Sequence, residues 1–256
     1  MKDLSICIPT YNRCEIMKKT TYDMLEQIQK GNYSDRVNVF ISNNGSSDST
    51  KKYIEDLVEG FPKIEIHVNN FETNQGPDAN FSYMYSVADG RFTYLKGDDD
   101  YLANNGLQNI FTLIDKFPEA GVFIGSMERM DKDRKVIAIS QHVRDVQNSL
   151  EVDFKNTLEA RNYFALADNI LALGSFISCV VVRTEALKVI PTDIFKKSNY
   201  VHMYYYWKYL TEGHKLVYST LPMCCPVIEG QGDSYLSAAR LSWDISPTLA
   251  PTNKFQ

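Results

Sequence analysis

Gly97-Asp98-Asp99-Asp100 sets three consecutive carboxylates behind a glycine, directly after the apolar run Phe92 to Leu95 and before Tyr101-Leu102. Adjacent like charges repel unless a cation joins them. A hard divalent ion, Mn2+ or Mg2+, typically binds through one or two carboxylates plus substrate phosphates. Asp98 and Asp100 have the D-x-D spacing for it. Such an ion bridges a diphosphate and stabilises the charge that builds there as its bond to another group breaks. Taken alone, an acidic run of this length also reads as a solvated turn or a weak structural calcium site.

Three more polar clusters precede it, each after a strand-like run. Pro9-Thr10-Tyr11-Asn12-Arg13 follows the run from Leu4, Asn43-Asn44-Gly45-Ser46-Ser47-Asp48 follows Val37 to Ile41, and Asn74-Gln75-Gly76-Pro77-Asp78-Ala79-Asn80 follows Ile64 to Val68. Helical stripes lie between them. Ile16, Met24, Leu25 and Ile28 fall on one face of a helix ending at Gly31, where a residue tolerating positive φ is wanted. Ser47 or Asp48 can cap the next helix, which buries Ile54, Leu57 and Val58; further helices are expected over Asp78 to Ala88 and Gly106 to Phe117. This alternation predicts an α/β fold with a mostly parallel, doubly wound sheet, whose ligand loops lie beyond the carboxyl ends of the strands.

Beyond Gly121 to Gly125, a further strand, the rhythm fades. Lys135 to Ile139 reads as a hairpin strand, Leu158 to Leu173 as helix and Ser178 to Arg183 as a buried strand. Val201 to Leu210 is an aromatic helix or strand, and Leu216 to Tyr218 begins a closing strand.

A chain of 256 residues with 44% apolar content can bury the core of one large domain. The net charge of −5 gives no bulk attraction to nucleic acid, although a local basic patch can still touch anionic lipid. Five cysteines without C-x-x-C spacing point to reduced thiols and a cytoplasmic setting. No apolar stretch has the length of a leader or a membrane span, so membrane contact is expected to be peripheral.

The four polar clusters, in this order and spacing over roughly Leu4 to Leu102, resemble the family 2 glycosyltransferases of A-type fold. G-D-D-D with N-x-G-x-D-A-N before it is most similar to the bacterial branch that builds lipopolysaccharide and capsule glycans. The resemblance implies a Rossmann-like, mostly parallel central sheet flanked by helices. It also implies a single domain over 1–256, with a nucleotide-sugar half at 1–102, an acceptor half at 103–230 and a tail at 231–256. Pro9, Thr10 and Tyr11 would line the nucleotide pocket, with the Tyr11 ring offered to the base and Arg13 near the diphosphate or the base. Asn43 would read the base edge, Asn74, Gly76 and Asn80 would shape the donor pocket, and Asp98, Asp99 and Asp100 would hold ribose and Mn2+ or Mg2+. The implied partners are a nucleotide-sugar donor and a glycan or lipid-linked saccharide acceptor, without nucleic acid.

The chain departs from the family pattern at three places. Asn43 stands where many members carry aspartate; an amide both donates and accepts, which favours a UDP-sugar while leaving CDP-, dTDP- and GDP-sugars open. Lys96 replaces the first aspartate of D-x-D-D. The late Glu-Asp pair that supplies the base of inverting members is missing, and the corresponding stretch offers His202, with Asp193 as the alternative carboxylate.

Tyr204, Tyr205, Tyr206, Trp207 and Tyr209 form either an acceptor-sugar platform or core. Two rival readings are a sugar-nucleotide nucleotidyltransferase and a degenerate binding or assembly module. The first would need a glycine-rich loop where Pro9 to Arg13 has no glycine; the retained carboxylates argue against the second. Gly230 to Ser237 is a candidate donor-closing loop, and Leu236 to Trp243 packs as a helix or against a partner or membrane.

Overall fold

Apolar runs closed by turn chemistry become strands, and the striped segments become helices. The computed structural model describes residues 1–131, 135–188 and 198–226. Asp193, Gly230 to Ser237, Leu236 to Trp243 and the 231–256 tail lie outside the described residues. The elements begin with β1 (Leu4–Thr10), α1 (Cys14–Lys30), β2 (Val37–Asn43), α2 (Thr50–Gly60), β3 (Glu65–Asn70), α3 (Pro77–Val87), β4 (Phe92–Leu95) and β5 (Asp100–Leu102). They continue as α4 (Gly106–Lys116), β6 (Ala120–Met130), β7 (Val136–Ser140), β8 (Ser149–Asp153), α5 (Thr157–Leu166), β9 (Val180–Arg183), α6 (Val201–Thr211) and β10 (Lys215–Pro226).

The ten strands of the described residues join one sheet in the order β3-β2-β1-β4-β9-β6-β10-β5, with β7 beside β6 and β8 beside β10. β1, β2, β3, β4, β6 and β10 run one way; β5, β7, β8 and β9 run the other. The sheet is therefore mostly parallel, as expected. Because β9 lies between β4 and β6, the two halves of Met1–Pro226 share one sheet within one compact unit.

Alternate side chains of β1 feed two cores, one on each face of the sheet. Leu4, Ile6 and Ile8 pack with Met17 and Ile28 of α1, Ile54 of α2 and Ile110 of α4. Cys7 packs with Tyr85 of α3 and, in the same cluster, Tyr163 of α5 and Tyr206 of α6 lie buried. Period-two alternation puts successive residues on opposite faces, so both faces of a central strand must be apolar.

Several local expectations change. α1 ends at Gly31 with φ −82°, not in the left-handed region; Asn32 takes φ 56° instead. The missing side chain at Gly31 makes room for the Tyr33 ring. The helical stretch Leu158 to Leu173 divides into α5 and a 3-10 turn at Ile170–Leu173, capped by Asn169 through Leu171 N at 2.9 Å. Ser178 belongs to a second 3-10 turn, Ile177–Cys179, just before β9. β5 and β8 were not legible: each is short and is held by β10, far away in sequence.

Candidate active site

The loops after β1, β2 and β3 are sewn together by their own polar side chains. Asn12, at φ 53°, donates its N–H to Ser46 Oγ at 2.9 Å and accepts from Ser47 N at 2.8 Å. Asp48 accepts from Cys14 N at 3.2 Å and from Thr50 N at 3.0 Å, so one carboxylate serves the first turns of both α1 and α2. Burial raises its pKa, but the hydrogen bonds from Thr50 and Cys14 outweigh that and hold it below the usual carboxylate range. Asn44 Nδ2 donates to Asn74 Oδ1 at 3.0 Å and to Gly76 O at 3.1 Å, while its Oδ1 accepts from Gln75 N at 2.9 Å. Gly45, at φ 74°, permits this approach; a Cβ there would lie 2.5 Å from the Thr73 carbonyl carbon.

The acidic turn is built from behind. Lys96 N donates to Cys7 O at 2.8 Å, extending the β1–β4 pairing, and Thr20 Oγ1 of α1 donates to Asp98 O at 2.6 Å. Ser178 accepts from Gly97 N at 2.8 Å and donates from its own hydroxyl to Asp100 Oδ2. The bare Cα of Gly97 suits this tight turn: a Cβ would stand 2.6 Å from Asp100 Oδ2, which the Ser178 bond holds in place. Burial pushes Asp98 up to about 6, relieved in part by the neighbouring Thr10 hydroxyl, with repulsion from Asp99 added. Burial, then Asp99, pushes Asp100 up to about 7 against the Ser178 bond. Lys96 beneath them is fully buried; burial lowers its pKa and Asp100, Asp98 and Asp99 counter that.

A cavity of about 360 Å3 opens at the carboxyl ends of β1, β2 and β4. Its walls take Pro9 and Thr10 from the end of β1, Tyr11 and Arg13 from the loop after it, Asn74 from the loop after β3, Asn80 from the start of α3, and Asp98 and Asp99 from the acidic turn. Arg13 Nη1 lies 3.5 Å from Asp99 Oδ2, both side chains being about half exposed. Asn43 is not in the wall. Its Nδ2 donates to Asn70 Oδ1 at 2.9 Å and its Oδ1 accepts from Ser46 N at 3.1 Å, and Asn44 takes the lining position. Gly76 does not line the cavity; it caps the N-terminus of α3 at φ 85°. Pro77, Phe81, Gly97 and Ile177 complete the lining. The sequence carries no signal for Ile177, and for Ser178 only the oddity of a hydroxyl at the head of an apolar run.

Among the described residues no group of three or more His, Cys, Asp or Glu side chains forms a metal cage. Asp100 is turned to Ser178, which leaves Asp98 and Asp99 facing the cleft. Two carboxylates, with phosphates supplying further oxygens, suit Mg2+ or Mn2+ but not a closed all-protein site.

His202, in the first turn of α6, is 2% exposed and does not line the cavity. Its ring is boxed by Phe81, Tyr200 and Tyr206. Nε2 donates to Ser175 O at 3.0 Å, so Nδ1 is the unprotonated nitrogen, and it has no partner among the described residues. Burial lowers its pKa to about 4, below the neutral range expected of it. The aromatic segment serves packing: Tyr205, Tyr206 and Tyr209 are buried, Tyr206 OH lies 3.1 Å from Tyr85 OH, and none lines the cavity. Asp78 of α3 anchors that helix by accepting from Asn199 N at 2.9 Å and Val201 N at 3.2 Å.

Comparison with known proteins meets this geometry from outside. The abequosyltransferase RfbV of Salmonella typhimurium is 27% identical over 260 residues, covering 98% of this chain and 75% of the relative. The GalNAc(5)-diNAcBac-PP-undecaprenol beta-1,3-glucosyltransferase of Campylobacter jejuni is 29% identical over 110 residues, 43% of this chain and 34% of that protein. Among solved structures, S. aureus TarS 1-349 in complex with UDP-GlcNAc has a TM-score of 0.66 at 20% identity, covering 93% of this chain and 61% of TarS. The mannosyltransferase PcManGT from Pyrobaculum calidifontis, in complex with GDP-Man and Mn2+, has a TM-score of 0.61 at 15% identity, covering 90% and 58%. The chain thus spans about three fifths of these solved chains, and they share its fold. Residues 5–184, well over half of the chain, match the model described as Glycosyl transferase family 2, and the chain is a glycosyltransferase belonging to that family.

Proposed function

We propose that the chain transfers one sugar, with inversion at the anomeric carbon, from a nucleotide-sugar donor to a hydroxyl of a bacterial surface glycan carried on a lipid. The observation behind the reading is the cleft: Thr10, Tyr11 and Arg13, Asn74 and Asn80, and Asp98 and Asp99 come from three separate stretches of chain to line one cavity. Its volume, about 360 Å3, is within the range of small-molecule sites. UDP is the favoured nucleotide, supported by the UDP-GlcNAc bound to TarS. The PP-undecaprenol in the name of the Campylobacter relative supports the acceptor class. Such an acceptor sets the enzyme in the cytoplasm in peripheral contact with a membrane; no helix among the described residues is long and apolar enough to cross one.

In this reading the half-exposed Tyr11 ring presents a face to the base, and Arg13 brings positive charge to the diphosphate. Asp98 and Asp99 would hold Mn2+ or Mg2+, which when bound supplies Lewis-acid stabilisation of the leaving diphosphate. His202 is the base in this reading: its Nδ1 carries no proton and has no partner among the described residues, and its ring packs edge-on against Phe81 of the cleft wall, so the acceptor hydroxyl has to enter past Phe81 to reach it. The test is a thermal-shift screen of UDP, CDP, GDP and dTDP, each with and without Mn2+. A Mn2+-dependent rise in Tm with one of them is expected, largest with UDP. If none raises Tm, the donor-site reading fails.

A further inference from the structure

Lys96 is a charged side chain that the transfer reaction leaves without a task. It is fully buried directly before the acidic turn, where an apolar residue would continue the core of β4. A lone ammonium in such a place is costly unless nearby charge compensates it. Its Nζ donates to Gly97 O at 3.0 Å, the backbone of the turn itself, and makes no ion pair within 4 Å among the described residues. The carboxylate oxygens of Asp98 and Asp99 are therefore not tied up by it. Lys96 offsets their charge through space while leaving their lone pairs open to the cleft. Arg13 adds a second cation at 3.5 Å from Asp99, on the solvent side.

With Asp100 turned to Ser178, the two carboxylates of the cleft, Asp98 and Asp99, stand beside two cations, Lys96 and Arg13. The cleft by itself then has little net negative charge to hold a divalent ion. A nucleoside diphosphate would add the missing negative charge together with further oxygen ligands.

We propose that Lys96 is a positioning residue for charge: an internal counter-ion that makes divalent-metal binding conditional on the nucleotide diphosphate. The nucleotide-free cleft holds Mn2+ weakly, and the metal and the diphosphate bind as a pair. The inference rests on the donor-site reading above. It concerns only why metal and nucleotide depend on each other.

The experiment is a Mn2+ titration of the nucleotide-free full chain, followed by loss of the free-ion electron paramagnetic resonance signal, in wild type and in Lys96→Met. Methionine keeps the length and burial of the side chain and removes its charge. The variant is expected to bind Mn2+ alone about tenfold or more tightly than wild type, since one uncompensated charge is restored beside a divalent ion in a poorly solvated place. A purely structural role for Lys96 would lower Tm without tightening Mn2+ binding, and that result overturns the proposal. Arg13→Gln removes the other cation from an exposed position, so it does not depend on refolding the core; it should also tighten Mn2+ alone, and failure to do so overturns the charge argument. In wild type, a nucleotide-induced Tm shift that persists while both variants leave Mn2+ affinity unchanged sinks only the Lys96 assignment. Absence of any nucleotide-induced shift sinks the donor reading itself.

Discussion

Ser178 Oγ donates to Asp100 Oδ2 while accepting from Gly97 N at 2.8 Å, tying the acidic turn to a segment 78 positions downstream of Asp100. One hydroxyl thereby folds the turn back on itself and takes Asp100 out of the cleft. Ser178→Ala removes the donor to a buried carboxyl group and the acceptor of a buried amide. Thermal or urea unfolding of this variant should show a loss of about 1–3 kcal/mol. An unchanged midpoint would mean that the bond does not hold the turn.

Asp99 and Asp100 should part company on mutation. Asp99 is half exposed and faces the cleft, so Asp99→Asn should leave the unfolding midpoint nearly unchanged, within about 0.5 kcal/mol, and abolish the Mn2+-dependent shift with nucleotide. Asp100→Asn keeps an acceptor for Ser178 and removes a buried charge, so the ligand-free protein should become more stable. The assignment of roles is wrong if Asp100→Asn alone removes metal dependence.

The turn also sets a pH dependence with opposite signs for stability and for ligand. Asp98 at about 6 and Asp100 at about 7 stand above the ordinary value of 3.8, burial being the main cause in each. A raised carboxyl pKa means that the fold favours the protonated form. Its contribution to stability is fully present below the unfolded value, near pH 4, and is lost as pH rises through about 6 to 7. A metal ion needs the ionised form, so Mn2+-dependent nucleotide binding should weaken as pH falls through the same window. Tm against pH, for wild type and for Asp98→Asn/Asp100→Asn, measures both. The wild type should lose stability relative to the double variant as pH rises from 5 to 8.

If His202 is the base, as proposed, the nitrogen that acts is Nδ1, because Ser175 O holds the other. With Nε2–H given to Ser175 O and a pKa near 4, the ring stays neutral across the physiological range. His202→Gln should lower kcat about 100-fold or more while leaving the nucleotide-induced shift in Tm intact. The acid limb of the wild-type rate profile should follow Asp98, near 6, with no break at the usual histidine value. Full turnover in the variant would move the base to another group, with Asp193 the next to mutate.

Asn43 shows where reading one loop at a time stops. The family resemblance makes it the base reader, yet it is the last residue of β2, its amide is committed to Asn70 and Ser46, and the neighbouring Asn44 takes the wall. Side-chain direction at a strand end depends on the exact residue at which pairing with β1 and β3 stops, and that register is not written locally. His202 and the aromatic run differ for another reason. An aromatic amphipathic helix has the same composition whether its rings meet a sugar or Tyr85 of another helix.

By itself the sequence determined the alternation of strands and helices, the four polar loops, their order, and with them the family. Period-two and helical apolar patterns decide element type, and a parallel sheet brings successive loops to one edge. Only the tertiary structure decided which groups in those loops face the cleft. Ser178 meets Asp100, Lys96 lies sealed under the turn, and β5 exists because β10 pairs with it. Each of these depends on partners 78 to about 120 residues away or on burial, and desolvation is a property of the packed surroundings rather than of a residue's own neighbours in the chain.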